Sequence, residues 1–288
     1  MDSYKLYNVV RPLLNFLEQL TNWYVRLNRS RMKGEEGQDD QIKSLNILFD
    51  VLLNTCVLMS CITPFITEHM YQNLKNGISE DNKDLNQESI HFLQIPEYSE
   101  NLLNEAVETR VGRMISAIEN GRLIRERKNI SLKTPLSSVT IVDSDPVSCE
   151  DFRSVEYYIL EELNCLELIV ESNEEEFVTY KCEPDNRTMG QALKKAYDKN
   201  MKAKIASLPS QQLREYLLNG TTTVDGTLIQ EGWLKVEKVF IDAFANSEQH
   251  GCASNMTSSV LLNTVLDENL KKMGYAREVT NKIQKLRK

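Results

Sequence analysis

The chain has 288 residues, which is long enough to bury a sizeable core and predicts about two domains. It has 41% apolar and 26% charged residues, as in a soluble globular protein, and no apolar run approaches the ~20 residues needed to cross a bilayer. The net charge of −8 would argue against a nucleic-acid partner if the charges were evenly spread along the chain.

An amphipathic helix is predicted to open the chain from about Tyr4. Apolar side chains recur at steps of three and four as far as Leu20, which places them on one stripe of a 3.6-residue period. Beyond Leu20 the helix becomes aromatic and basic, and its cations are Arg26, Arg29, Arg31 and Lys33. Cations in a last turn can simply complement the helix dipole, and Trp23 can be a core residue. The alternative is a phosphate-binding helix end with an aromatic ring available for stacking.

Three further amphipathic helices are predicted over residues 42–60, 63–75 and 100–127. The first of them has an unusually apolar face and is predicted to be buried. Thr63 is predicted to cap the next one, with Pro64 in its first turn. Residues 76–88 read as a polar loop and residues 90–96 as an extended segment. Four antiparallel helices of this kind predict an α-helical bundle.

Near Asn129 the pattern changes to short strands that alternate with helices, which predicts an α+β domain. The strands are predicted over residues 138–142, 166–170, 177–182, 221–226, 235–241 and 260–266. The helices are predicted over residues 146–163, 189–208 and 210–218, and a Ser/Asn-rich loop over 246–259 precedes a basic helix from Asp267 onward. We therefore predict a helical bundle in residues 1–130, an α+β domain in 131–245, and a loop, short strand and basic helix in 246–288.

The charges are segregated along the chain. Residues 110–133 contain seven cations and two acids, residues 271–288 contain seven cations and one acid, and residues 143–176 contain twelve acids and one arginine. A polyanion responds to local charge rather than to the total, so the basic segments are candidate RNA contacts. Solvated helix faces produce the same pattern, and a shared site would require the basic segments to converge.

Five motifs, spread over nearly the whole chain, resemble isoleucyl-tRNA synthetases, especially the eukaryotic cytosolic type. They are NWYVRLNRSRMKG at 22–34, TPFITEHMYQ at 63–72, SIHFLQIP at 89–96, EELN at 161–164, and GYAREV running into IQKLRK at 274–288. The first two have relatives in valyl and leucyl synthetases, whereas the last two favour isoleucine. The same domain of a valyl or leucyl enzyme is therefore an alternative.

The resemblance implies a C-terminal fragment of a cytoplasmic enzyme, containing its anticodon-binding helical bundle and an α+β domain. The implied partners are the anticodon stem-loop of isoleucine tRNA, the remainder of the synthetase chain and other synthetases, with no membrane. The residues implied to contact RNA are Asn22, Trp23, Arg26, Asn28, Arg29, Arg31, Lys33, Arg122, Arg125, Arg127 and Lys128. Position 30 is Ser where the family often has Arg, which removes one expected charge.

No catalytic or metal-binding residue is predicted in this chain. The HIGH-like and KMSKS-like motifs of such synthetases and glycine-rich nucleotide loops are absent from the sequence, so ATP and Mg²⁺ are expected only on the catalytic domain of the intact enzyme. The six cysteines form no CxxC pair, and His69, His91 and His250 are far apart, so free thiols are expected rather than disulfides or zinc. The remaining alternative is a protein-interaction scaffold that uses the acidic 143–176 region and the basic terminal helix.

Overall fold

The structure is a computed structural model that describes residues 5–194 and 197–287. The predicted helix start at Tyr4, residues 195–196 within the predicted helix 189–208, and Lys288 lie outside the described residues. The chain folds as two compact units that divide between Leu103 and Asn104. This division precedes the predicted boundary near residue 130, because the long helix predicted over 100–127 packs against the sheet of the second unit.

The first unit contains helices and turns. Its helices are α1 (Tyr7–Gln19), a π-helical turn (Leu20–Tyr24), α2 (Val25–Leu27), α3 (Arg29–Met32), α4 (Gln38–Met59) and α5 (Pro64–Leu74). Short 3₁₀ turns follow at Lys75–Gly77, Ile90–Phe92 and Glu100–Leu102. The apolar core joins α4 and α5 to the later turns, and it consists of Leu53, Cys56, Val57, Tyr71, Ile90 and Leu93.

The loop that follows α5 is held down by one buried side chain. Tyr71 is fully buried, and its hydroxyl donates to the Leu85 carbonyl at 2.7 Å and accepts from the Gln87 amide at 2.8 Å. Residues 90–96 are not fully extended as predicted, because a 3₁₀ turn occupies Ile90–Phe92. Thr63 is the N-cap residue of α5, as predicted, but its side chain forms no capping hydrogen bond, because its hydroxyl donates backward to the Met59 carbonyl.

Helix α4 is less buried than its apolar sequence predicts. Its second half carries Leu53, Cys56 and Val57 into the core, but Leu45 near its start is 43% exposed. By length and composition, α4 is the one helix among the described residues that could cross a membrane, with a mean hydropathy of 1.5 over its most apolar window. This is weak support for a membrane span, because core helices of soluble proteins meet the same criterion.

The second unit combines helices with a mixed sheet. Its helices are α6 (Glu105–Arg127), α7 (Pro146–Ser154), α8 (Glu156–Leu163), α9 (Asn186–Leu193), α10 (Lys199–Ala206), α11 (Ser210–Asn219), α12 (Asp242–Ala245) and α13 (Glu268–Leu286). Its strands are β1 (Leu136–Val142), β2 (Cys165–Glu171), β3 (Val178–Pro184), β4 (Thr222–Val224), β5 (Thr227–Ile229), β6 (Leu234–Phe240), β7 (His250–Ser254) and β8 (Ser259–Asn263).

The main sheet has the strand order β2-β1-β8-β7, with β1 and β2 parallel and the remaining pairs antiparallel. Val139 of β1 lies opposite Leu168 on one side and Leu262 on the other. Helix α6 packs against this sheet, and it approaches β7 so closely that a Cβ atom at Gly251 would lie 2.3 Å from Ile124 Cγ2. The close approach explains why glycine occupies this edge position.

A second, smaller core lies around the antiparallel pair β3–β6 and the hairpin β4–β5. Helices α9, α10 and α11 pack on it, and its fully buried side chains are Met189, Ile205, Leu213 and Ile229. The predicted helix 189–208 is instead two helices, α9 and α10. The predicted loop 246–259 is also wrong, because β7 lies within it and pairs with β8 from His250 to Ser254.

Replacing either of two glycines of α6 by alanine is expected to change the free energy of unfolding in opposite directions. A Cβ atom at Gly121 would lie 2.5 Å from Cδ1 of Leu163, which is fully buried, whereas one at Gly112 would meet no atom within 4 Å. We expect Gly121→Ala to lower the free energy of unfolding by about 1–3 kcal/mol through overpacking. Gly112→Ala should raise it by about 0.5–1 kcal/mol, since alanine is the better helix former. Urea denaturation measures both changes, and shifts of the same sign would contradict this assignment.

Candidate nucleic-acid interface

The predicted continuous helix is interrupted at the aromatic and basic stretch. After α1 the backbone forms a π-helical turn in which the amide of Val25 donates to the carbonyl of Leu20, five residues earlier. The wider turn rotates the following side chains away from the apolar stripe of α1. The helix breaks again at Asn28, and Gly34 follows α3 with a left-handed φ of 81°. The stripe predicted from the sequence therefore ends at Leu20.

A buried asparagine and an ion pair fix the geometry of this stretch. Asn28 Nδ2 donates to the Tyr24 carbonyl at 2.8 Å, and its Oδ1 accepts from Arg31 Nη1 at 2.7 Å. The same guanidinium donates to both carboxylate oxygens of Asp40 in the first turn of α4, at 2.6 and 2.7 Å. These bonds hold the pKa of the Asp40 carboxyl below its ordinary value. Asn28 and Arg31, predicted as RNA contacts, thus have partners inside the protein.

The remaining polar side chains of the stretch are exposed. They are Asn22, Arg26, Arg29 and Lys33, and we call this set the basic turn. Lys33 Nζ lies 3.8 Å from Glu35 Oε1, but both side chains are more than half exposed, so this pair is easily exchanged for a phosphate. The side chain of Arg29 forms no ion pair with any residue that the structure describes.

The two aromatic residues beside the basic turn are partly buried. Burial raises the pKa of the Tyr24 hydroxyl, and the charge of Arg31 opposes the shift. Trp23, predicted either to pack or to stack, is partly buried and interacts with other residues of the chain. The side chains presented to solvent are therefore those of the basic turn, with Trp23 at its border.

Arg125, from the second predicted set, is a buried structural residue. Its side chain is 1% exposed, and its guanidinium donates to four backbone carbonyls. The acceptors are Ser131 at 2.9 Å, Thr134 at 3.0 Å, Leu163 at 2.5 Å and Asn164 at 3.2 Å. Desolvation lowers the pKa of Arg125. The sequence-based proposal that Arg125 contacts RNA is corrected by this burial, because the side chain is inaccessible and both of its terminal nitrogens donate inside the fold.

The other members of this set differ in their surroundings. Arg122 is partly exposed and forms an ion pair with Glu162 of α8. Lys128 is exposed and donates to the Ser247 carbonyl at 3.0 Å, which ties the end of α6 to the segment before β7. Arg127 is exposed and lines a cleft of about 620 Å³ beside β6 and β7. The second unit therefore presents Arg127 and Lys128 to solvent rather than the whole predicted set.

The described residues offer little chemistry for catalysis. They contain no group of three or more His, Cys, Asp or Glu side chains placed to hold a metal ion. Burial raises the pKa of the Cys252 thiol, which disfavours the reactive thiolate next to His250. The His250 ring instead lies 6.1 Å from the Phe244 ring in an edge-on contact.

Two structural features of the second unit were not predicted from the sequence. Lys133 lies within the basic segment 110–133, but its position beside α13 depends on contacts across more than 100 residues. Arg277 of α13 donates to Asn164 Oδ1, which joins two of the family-like motifs. The sequence did contain one indication of this contact, because both residues belong to family-like motifs, EELN and GYAREV.

Comparison with known families matches the first half of the chain. Residues 1–141 match the family described as the anticodon-binding domain of tRNA ligase. The basic turn and all of α6 fall within the matched segment. The first 141 residues are therefore similar to an anticodon-binding domain of the tRNA-ligase class.

Comparison with curated proteins narrows the class. The chain is 41% identical over 290 residues to the cytoplasmic isoleucine–tRNA ligase of Mus musculus, 40% over 291 residues to that of Schizosaccharomyces pombe, and 41% over 294 residues to that of Saccharomyces cerevisiae. Each comparison covers all of this chain but only 23%, 27% and 27% of the relative. The chain thus spans about a quarter of the length of these relatives. The resemblance to isoleucyl-tRNA synthetases is confirmed, and the valyl, leucyl and scaffold alternatives are not favoured.

Proposed function

We propose that this chain binds the anticodon stem-loop of isoleucine tRNA, as part of a longer cytoplasmic isoleucine–tRNA ligase. The observation that carries the proposal is the exposed basic turn within the segment that matches the anticodon-binding family. Exposed cations bind phosphates, while single-stranded bases of an RNA loop can be read by polar side chains and stacked on aromatic rings. We assign Arg26, Arg29 and Lys33 to the RNA backbone and Asn22 to a base edge, with Trp23 at the border of the contact.

In this proposal, Arg127 and Lys128 of the second unit supply additional phosphate contacts. Arg31 and Asn28 act indirectly, since their bonds to Asp40 and Tyr24 hold the basic turn in place. The ATP-dependent joining of isoleucine to tRNA would belong to the rest of the longer protein, which is also the proposed intramolecular partner. The residues described here contribute binding and orientation of the tRNA.

Arg29→Ala is expected to weaken binding of an isoleucine tRNA transcript to the 288-residue chain by about 3- to 10-fold, because one phosphate contact is lost. The slope of log K against log salt concentration should fall by about 0.7–0.9. Fluorescence anisotropy at several KCl concentrations measures both quantities. Lys43→Ala, which removes an exposed charge from α4 in the same unit, is the matched control and should change affinity less than about 2-fold.

Two results would count against the proposal. Equal binding of isoleucine and valine tRNA transcripts by the wild-type chain would remove the claim of recognition. If Arg29→Ala and Lys43→Ala gave the same affinity and salt slope, Arg29 would not contact the RNA backbone.

A further inference from the structure

We propose that a groove in the second unit, between the loop 128–135 and helix α13, is a second site for the RNA backbone. The groove has a volume of about 480 Å³, and its walls include Ser131, Lys133, Lys271, Tyr275 and Glu278. The helix lies beyond the 141 residues that match the anticodon-binding family. The inference rests on the proposed function, since it takes the ligand to be the same tRNA.

The charge of the groove is positive. Lys133 comes from the loop and Lys271 from the first turns of α13, and neither forms an ion pair with a residue in the described part of the chain. The acidic member, Glu278, is paired with Lys282 at 3.2 Å. The wall thus offers two ammonium groups, one from each side, for which a phosphate is a suitable partner.

The groove also offers an aromatic surface. Tyr275 lines it while 67% of the residue stays exposed, a high value for a tyrosine. An exposed aromatic ring beside lysines is the combination on which unpaired bases stack in RNA-binding proteins. The side chain of Ser131 adds a hydrogen-bonding group at the same surface.

The two walls of the groove are tied to one buried residue. Asn164 is 8% exposed and has a left-handed backbone, with φ 51° and ψ 53°. Its Nδ2 donates to the Leu132 carbonyl of the loop at 2.9 Å, and its Oδ1 accepts from Arg277 of α13. Arg125 binds the carbonyls of the loop and of Asn164 from the other side. We call Arg125, Asn164 and Arg277 the Asn164 clasp.

The clasp sets the separation of Lys133 and Lys271 without contacting the ligand. Helix α13 also passes close to the loop at Gly274, where a Cβ atom would lie 3.6 Å from Pro135 Cδ. Along its 19 residues, the side chains of α13 are largely exposed, and the cations Lys272, Lys282, Lys285 and Arg287 continue beyond the groove. A helix of this length spans about 28 Å, which suits a polyanion with regularly spaced charges better than a short acidic peptide.

The test measures binding of the isoleucine tRNA transcript to the 288-residue chain across a range of KCl concentrations. Replacing both lysines (Lys133→Ala with Lys271→Ala) should lower affinity about 10-fold and reduce the salt slope by about 1.4–1.8, the value for two phosphates. The control is the double variant Lys199→Ala with Lys235→Ala, which removes two exposed lysines from the same unit and should change affinity less than about 2-fold.

Two further variants separate stacking and positioning from charge. Tyr275→Ala should weaken binding about 5-fold or more, whereas Tyr275→Phe keeps the ring and the affinity. Asn164→Gly preserves the left-handed backbone but removes the amide that joins loop and helix. It should lower both the affinity and the salt slope although no charge is removed, because misplaced lysines neutralise fewer phosphates; wild-type affinity and slope would contradict the positioning role.

The outcomes distinguish the groove from the basic turn. If the Lys133 and Lys271 double variant behaves like its control while Arg29→Ala weakens binding, the groove is not an RNA site and the proposed function stands. If the groove variant weakens binding while Arg29→Ala does not, the contact assigned to the basic turn fails. Displacement of the RNA by polyglutamate at equal charge concentration would assign the groove to acidic peptides and overturn the inference.

Discussion

Arg125→Ala is expected to lower the free energy of unfolding of the second unit by about 3–5 kcal/mol. The substitution removes the Arg125 donor from four backbone carbonyls, of which those of Ser131 and Asn164 keep a backbone amide donor. These carbonyls lie in the loop after α6 and at the junction of α8 with β2, so three segments lose a common partner. It also removes a large side chain from a site that is 1% exposed, which adds a cavity to the lost hydrogen bonds.

Tryptophan fluorescence can follow the unfolding of this unit alone. The chain has two tryptophans, one in each unit, so replacing Trp23 leaves a probe only in the second unit. In a Trp23→Phe background, urea-induced changes in fluorescence report on Trp233, which packs against the core of the second unit. Arg127→Ala is the matched control, since it removes an exposed arginine two residues away and should change the free energy of unfolding by less than about 0.5 kcal/mol. Equal effects of the two substitutions would show that the hydrogen bonds from Arg125 to the four carbonyls do not stabilise the second unit.

Arg125 also shows what the sequence could have revealed about the site. Local charge grouped it with Arg122, Arg127 and Lys128, but helical phase places it seven residues after Ile118 and four after Gly121, both on the buried face of α6. The helical phase of Arg125 therefore predicts its burial correctly, whereas the local charge density wrongly predicts an exposed cation. The carbonyls that bind Arg125 come from up to 39 residues away, so its partners could not be deduced from spacing.

The sequence predicted the basic residues of this stretch, but it did not show which of them are exposed and which have partners inside the protein. Nothing in the local sequence distinguishes Arg29 from Arg31, which both follow Asn28. The difference arises because Asp40 lies nine residues after Arg31 and returns to it across the turn at Gly34 and Gly37. An ion pair of this kind depends on the path of the loop, which periodicity does not specify.

The strands show a similar contrast between local and long-range information. The strands β1, β2, β3 and β6 were predicted to within two residues because apolar and β-branched residues are frequent in them. Strand β7, with the sequence HGCAS, has little strand propensity of its own. It is specified by pairing with β8 and by the contact of Gly251 with α6, more than 120 residues earlier. Tertiary contacts thus overrode local composition in the predicted loop 246–259.

Glu174→Gln is expected to destabilise the second unit by about 3–5 kcal/mol, because it leaves a buried ammonium group without its counter-charge. Glu174 is 3% exposed and lies in the 3₁₀ turn between β2 and β3. Its carboxylate forms ion pairs with Lys238, whose side chain is 8% exposed, and with Arg214 at 3.4 Å. The Tyr180 hydroxyl donates to it at 3.3 Å, and burial raises the pKa of that hydroxyl, so it remains a donor at neutral pH.

A double-mutant cycle tests whether the cost comes from the unpaired charge. Lys238→Met alone should cost less than Glu174→Gln, because Arg214 continues to neutralise the carboxylate. The combination of Glu174→Gln with Lys238→Met should recover most of the loss, since a buried pair replaced on both sides is often close to neutral. Urea denaturation followed by Trp233 fluorescence gives the four free energies. Additive losses would exclude coupling between the two side chains.

The network also bears on RNA binding. Lys238 lines the cleft of about 620 Å³ beside Arg127, so a count of cations there would make the cleft look like a phosphate site. Its charge is already neutralised by Glu174, and the cleft also contains the carboxylates of Glu237 and Asp242. Lys238→Met should therefore leave the affinity for isoleucine tRNA within about 2-fold of wild type. A loss comparable to that of the groove variant would show that Lys238 contacts the RNA in addition to Arg127 at the edge of the same cleft.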